Sequence, residues 1–262
     1  LVAQKGWPRF KDALIGLHNP AVYDETAFDA ARERLAYDEA LARESAFALA
    51  RASRKRRNAQ PIPKAQVAQS RLARSLPYRQ TGAQVRAVAE ISDDMASQSP
   101  MRRMLQGDVG AGKTLVGAQA AAGGFQSAFM APTEVLARQQ FETLDKLLSP
   151  LGYVVASLTG RDKGAAREGI LLGLADGSIH VVAGTHALFQ ESVNFRNLGL
   201  IIVDEQHRFG VQDRMRLVSK ATSPHMLVMS ATPIPRTLAQ AIHGDLDVTI
   251  LDEKPEGRKP IE

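Results

Sequence analysis

Two short stretches of this sequence hold residue types at spacings that suit phosphate chemistry. The first is "GDVGAGKT", where Gly107, Gly112, Lys113 and Thr114 satisfy the pattern G-x-x-x-x-G-K-[ST], with Asp108, Val109, Gly110 and Ala111 between them. Glycines let backbone N–H groups close around phosphate oxygens with no side chain in the way. Lys113 then serves as a point charge for the β- and γ-phosphates, and Thr114 offers a hydroxyl to Mg²⁺. A helix starting there adds the positive end of its dipole. The second stretch is "LIIVDEQHRFG" over residues 200–210, where four aliphatic residues run into Asp204, Glu205, Gln206 and His207. Taken alone, that tetrad suits a metal site, an acid–base site or a polar turn.

The phosphate loop decides between these. Such a loop needs a second contact to Mg²⁺ and a group that orients the attacking water. Asp204, closing an aliphatic strand, suits the metal role, and Glu205, one step on, is the candidate general base. The rival, a transition-metal site built on Asp204 and His207, lacks further ligands at matching spacing: no H-E-x-x-H is present, and the chain has no cysteine. The expected ligands are therefore ATP and Mg²⁺.

Both stretches have to be held by a scaffold, and the hydrophobic rhythm describes one. Short apolar runs at 103–106, 126–131, 153–158, 179–183, 199–203, 226–230 and 247–251 read as strands. Helical spacing fills the gaps at 81–97, 113–123, 134–148, 162–175, 211–219 and 235–243. This alternation predicts an α/β fold, a mostly parallel sheet with helices on both faces. Ahead of it, 24–58 forms the longest helical pattern, capped by Asp24 or Thr26 and ending in the cations of "RASRKRR". Residues 1–23, broken by "GWP" and "HNP", read as loop, and "NAQPIPKA" (58–65) reads as a linker.

Composition bounds the rest. The 262 residues are 44% hydrophobic and 23% charged, as in ordinary globular proteins. Residues 1–103 carry 18 Lys and Arg against 11 Asp and Glu, whereas the remainder is close to neutral. A basic front suits a phosphate backbone or simply a solvated helix face. No apolar stretch approaches the ~20 residues of a membrane span. The "LVAQKGWPRF" start lacks a signal-peptide pattern, so a cytoplasmic location is expected. It also lacks an initiator Met, and "GRKPIE" looks like a cut linker, so the chain reads as a fragment.

With these motifs placed, further stretches resemble the first motor domain of superfamily 2 helicases, a RecA-like P-loop NTPase fold. "TGAQ" (81–84) is similar to the adenine-reading motif, with Thr81 and Gln84. "APTEVLARQ" (131–139), "LTG" (158–160) and "GTHALFQ" (184–190) resemble motifs Ia, Ib and Ic, and "SATPIPRT" (230–237) an extended motif III. Together with "DEQHRFGVQDR" they resemble the RecG family of bacterial helicases that remodel branched DNA at stalled forks and Holliday junctions, in recombination and repair. The sibling family of transcription–repair coupling translocases shares much of this, but typically has a bulky residue at Ala111 and a Glu at Gln206.

The resemblance covers about residues 76–258 motif by motif, and 24–65 more loosely. It implies a helical lead-in and linker from a wedge domain over 1–65, a motor domain over 66–258, and the start of a linker to a second motor domain at 259–262. It implies DNA contacts from Thr133 and Glu134, Gly160, Thr185 and His186, and coupling of nucleotide state to DNA grip through Ser230, Ala231 and Thr232. Gln206 and His207 would sense the γ-phosphate or couple to Ser230 and Thr232. Arginine fingers would come from the second motor domain, outside this chain. The implied partners are branched double-stranded DNA and the wedge and second motor domains, in a monomer associated with the bacterial nucleoid. Simpler readings stand beside some of these: Thr133 as a helix cap, Phe209 as core, and the five cations of 51–57 as a solvated helix end.

Overall fold

The computed structural model describes residues 2–19, 24–55, 58–62, 65–204, 220–221, 223–232 and 246–253. Its centre is a seven-stranded sheet of β1 (Arg102–Gly107), β2 (Gln126–Met130), β3 (Val155–Leu158), β4 (Val181–Gly184), β5 (Leu198–Asp204), β6 (His225–Ser230) and β7 (Asp247–Leu251). The strand order is β3-β4-β2-β5-β6-β1-β7, and every pairing is parallel.

A parallel sheet covered on both faces needs strands that are apolar on both faces. β2, β4 and β6 are buried at every position. Along β5, Leu200 and Ile202 enter one core cluster while Ile201 and Val203 enter the other; on β6, Leu227 and Met229 alternate with Met226 and Val228 in the same way. That period of two divides the interior into two layers. Truncating one of these aliphatic side chains to Ala would cost about 2–5 kcal/mol.

Among the described residues the helices are α1 (Val2–Lys5), α2 (Phe10–His18), α3 (Glu25–Lys55), α4 (Ala65–Ser75), α5 (Gly82–Met95), α6 (Lys113–Ala121), α7 (Glu134–Leu148) and α8 (Gly164–Asp176); the helices expected at 211–219 and 235–243 lie outside them. Three features correct the sequence reading. Residues 1–23, expected as loop, hold α1 and α2. The breakers are real, with Gly6 at positive φ and α2 stopping at His18, but they bracket a helix instead of excluding one. α4 is absent from the sequence expectation, yet its Leu72 is fully buried in the core. Of the 58–65 stretch, expected as a linker, residues 58–62 are anchored: the Ala59 and Ile62 N–H groups donate to the Gln98 and Met95 carbonyls, and both side chains are buried. Proline there breaks regular structure without freeing the chain.

The long α3 begins as expected, with Asp24 accepting from the Thr26 and Ala27 N–H groups. Trp7 packs on Tyr37 with ring centroids 5.2 Å apart and donates to Glu33. α5 is tied to the sheet by Arg103, whose guanidinium reaches Glu90, Asp94 and Thr249. That network sets the end of α5 against the start of β1. Among the described residues no helix is long and apolar enough to cross a membrane.

Candidate nucleotide site at the carboxyl edge of the sheet

Because all seven strands run the same way, their carboxyl ends share one edge, where ligands gather in open α/β sheets. The phosphate loop leaves β1 at Gly107 and enters α6 at Lys113. Asp204 closes β5, and between these two strands lies β6, ending at Ser230. At the usual strand spacing, the loop and Asp204 stand roughly 10 Å apart, room for a metal-bound phosphate.

The loop is held open by its neighbours. Gly112 adopts φ +90°, and a Cβ there would lie 2.2 Å from Gln84 Nε2. Gln84 is only 2% exposed. Its Nε2 donates to the Ala111 carbonyl (2.8 Å), its Oε1 accepts from the Thr81 N–H (3.1 Å), and its own N–H donates to Thr81 Oγ1. The "TGAQ" stretch thus forms a reciprocal cap on α5 and at the same time clamps the phosphate loop. Both ends of the Gln84 amide are engaged by the chain, so in this conformation it supports the loop. Lys113 Nζ donates to the Gly107 carbonyl at 2.7 Å and the Asp108 carbonyl at 3.0 Å, folded back over its own loop. Val109 projects at 64% exposure.

Asp204 accepts from Gln140 Nε2 at 2.8 Å. The Thr114 hydroxyl and the Asp204 carboxylate are hard oxygen donors of the kind Mg²⁺ takes beside phosphate oxygens, and Gly107, Gly110 and Gly112 put no side chain into the loop. These residues fit the expected ligands. Ser230 is buried and accepts from the Thr232 N–H at 3.2 Å, opposite Gln106 in the ladder; Ala231 lies between them. Glu205, Gln206, His207, Arg208 and Phe209 lie outside the described residues.

The other half of the edge follows β2, β4 and β3. Thr133 caps α7, its side chain accepting from the Leu136 N–H at 3.3 Å, as the cap reading expects. Glu134 pairs with Arg161 at 2.6 Å, which brings "APTE" and "LTGR" together beside the exposed Gly160. Asp162 accepts from the Thr159 N–H and hydroxyl and stiffens that turn. His186 is exposed at the start of a 3-10 turn, His186–Phe189, after buried Thr185. Thr185 Oγ1 has no hydrogen-bond partner among the described residues.

Three contributors escaped the sequence reading. Gln140 lies on the inward stripe of α7 with Ala137, Leu144 and Leu148; a polar residue on an apolar stripe was the available signal. Arg161 had none beyond its charge. Glu253, beyond β7, bonds the Ala83 N–H at the start of α5, which holds its carboxyl below the ordinary value; Arg86 adds a bridge at 3.1 Å. Elsewhere His225 is structural: its Nδ1 accepts from the Met101 N–H and its Nε2 meets the Gln60 carbonyl.

Known proteins resemble this chain in sequence and in fold. The ATP-dependent DNA helicase RecG of Thermotoga maritima is 46% identical over 96% of this chain and 33% of its own length. RecG of Escherichia coli K12 is 45% identical over 98% of this chain and 39% of its own. The chain thus spans about a third of the curated relatives it matches. A solved structure described as RecG bound to a three-way DNA junction superimposes with a TM-score of 0.83 at 43% identity, over 99% of this chain and 35% of that one. The family model for DEAD/DEAH box helicases matches residues 81–241, from the cap that clamps the phosphate loop to beyond Ser230. With well over half of its length inside that match, the chain belongs to the DEAD/DEAH box helicase family.

Proposed function

We propose that this chain is the nucleotide-binding motor domain of an ATP-dependent DNA helicase that remodels branched DNA. One observation carries the reading: the phosphate loop, Asp204 and the "APTE", "LTG" and "GTHALFQ" loops share a single edge of one rigid parallel sheet. A change at the nucleotide half of that edge is then transmitted to the half facing DNA.

In this reading the backbone N–H groups of Gly107–Gly112 cradle the phosphates, and Lys113 leaves its own loop carbonyls for the β/γ-phosphates. Thr114 and Asp204 hold Mg²⁺, which when bound neutralises charge on the phosphates. Glu205 orients the attacking water, while Gln206 and His207 read the γ-phosphate. Thr81 and Gln84 set the loop, and Gln84 exchanges its backbone partners for the edge of the base when nucleotide binds. Ser230, Ala231 and Thr232, on the strand between loop and Asp204, pass the change across the sheet. Thr133, Glu134, Gly160, Thr185 and His186 line the DNA side, where backbone N–H and hydroxyl groups suit contacts that carry no sequence information. The relative solved on a three-way junction supports branched duplex DNA as the substrate. The arginine fingers come from a second motor domain and the fork-splitting element from a wedge domain of a longer chain, acting as a monomer on the bacterial nucleoid.

The test uses the full-length protein on model forks and on stalled RNA polymerase. ATP-dependent fork unwinding supports the reading. Polymerase displacement without fork activity would move the protein to the coupling-translocase class. A chain of residues 1–262 alone should hydrolyse ATP slowly, because the trans arginines are missing.

A further inference from the structure

Gln140 makes a contact that the motif reading leaves unused. It stands on the inward stripe of α7, seven residues beyond the Thr133 cap, and donates through Nε2 to Asp204 Oδ2 at 2.8 Å. Its other polar atom, Oε1, is buried and has no hydrogen-bond partner among the described residues. A buried carbonyl oxygen without a donor is costly, and such atoms in folded proteins ordinarily find one. The donor expected at this point is a water carried by the cation, since Mg²⁺ keeps several waters in its octahedral shell.

We propose that Gln140 is a positioning residue for the metal-side carboxylate: Nε2 fixes the orientation of Asp204 and Oε1 accepts from a Mg²⁺-bound water. The inference rests on the reading of Asp204 as the Mg²⁺ contact. A neutral amide suits the task, because it orients the carboxylate without changing the charge that the cation meets. A Glu in its place would repel Asp204, and a Lys would compete with the metal. The bond also links the two halves of the edge. α7 begins at Thr133 and Glu134, roughly 10 Å along the axis from Gln140 at 1.5 Å per residue. A shift of α7 on DNA therefore moves the group that holds Asp204.

The experiment titrates the full-length protein with a fluorescent, non-hydrolysable ATP analogue, once in Mg²⁺ and once in EDTA. In Gln140→Met, of similar volume and helix propensity, affinity in Mg²⁺ should fall about tenfold or more, the scale seen when a group orienting a metal ligand is removed. Affinity in EDTA should be unchanged. Gln140→Glu, which keeps size and polarity but loses the donor, should show the same loss. Wild-type affinity in Mg²⁺ for Gln140→Met, or equal losses in Mg²⁺ and in EDTA, would overturn the proposal. Asp204→Asn, measured alongside, separates the two readings. If it too leaves the Mg²⁺-dependent affinity intact, the metal role of Asp204 falls and the inference with it; if only Gln140→Met is silent, the inference alone falls.

Discussion

The two halves of the sheet's carboxyl edge are built differently. On the β1–β5 side, the groups around the phosphate loop bind one another: Gln84 holds Ala111, Lys113 holds Gly107 and Asp108, and Gln140 holds Asp204. All but the exposed Lys113–Asp108 contact are buried or partly buried, and together they fix a geometry before any ligand arrives. On the β2–β4–β3 side, Thr133, Gly160 and His186 are exposed, and the Glu134–Arg161 pair has its arginine 83% exposed. Organised polar groups suit a ligand of one fixed shape; exposed caps and turns suit a backbone that has to slide past. Under the proposed function, the difference separates a chemical site from a gripping surface.

Four substitutions or conditions would break or sharpen that contrast. The largest effect belongs to Lys113→Ala, which should lower ATP turnover at least about 10²–10³-fold, the scale for removing one group that stabilises developing charge. DNA affinity, read by gel shift at fixed salt, should stay within about twofold, because the two halves use separate side chains. Gly112→Ala comes next. It places a Cβ 2.2 Å from Gln84 Nε2 and forces a left-handed backbone on alanine. The left-handed backbone alone costs about 1–2 kcal/mol. Calorimetric nucleotide binding should weaken by roughly two orders of magnitude at 1.4 kcal/mol per decade, with the clash included. On the gripping side, Thr133→Ala removes a helix cap and should cost about 1 kcal/mol in denaturant unfolding. Its DNA affinity should drop only a few-fold and its basal ATP turnover not at all.

The smallest effect lies at the opposite edge of the sheet. Burial holds the His225 imidazole below its ordinary value of 6.5, against the opposing pull of the Gln60 carbonyl and Asp94. The unfolded chain takes up a proton below about pH 6.5 and the folded chain resists it. Stability should therefore be intact above that pH and decline as pH falls through it, by at most about 1.4 kcal/mol per unit. In thermal unfolding, the His225→Gln variant should lose that part of the pH slope.

How much is legible beforehand follows the same division. The central strands β4 and β5 are legible because a doubly covered parallel sheet writes itself as nearly continuous apolar runs. The phosphate loop is legible because all its residues are contiguous. The Gln140–Asp204 bond joins positions 64 apart, and no local pattern records it. The Glu134–Arg161 pair is hidden for the same reason. α2 is obscured because Gly6, Pro8 and Asn19 signal breaks more loudly than the nine residues of α2 signal a helix. Ala59 and Ile62 read as linker because proline predicts irregular backbone and says nothing of whether it is buried. For Thr133 the cap that a bare helix start would want is present, whatever else the residue touches.

The central claim is that nucleotide chemistry and DNA grip are two ends of one rigid edge. The most direct measurement is steady-state ATP hydrolysis by the full-length protein, with and without a branched duplex. The account predicts that turnover rises about tenfold or more with DNA, and that Thr133→Ala shifts the half-saturating DNA concentration while leaving the DNA-free rate unchanged. Turnover that is fast and indifferent to DNA would contradict it.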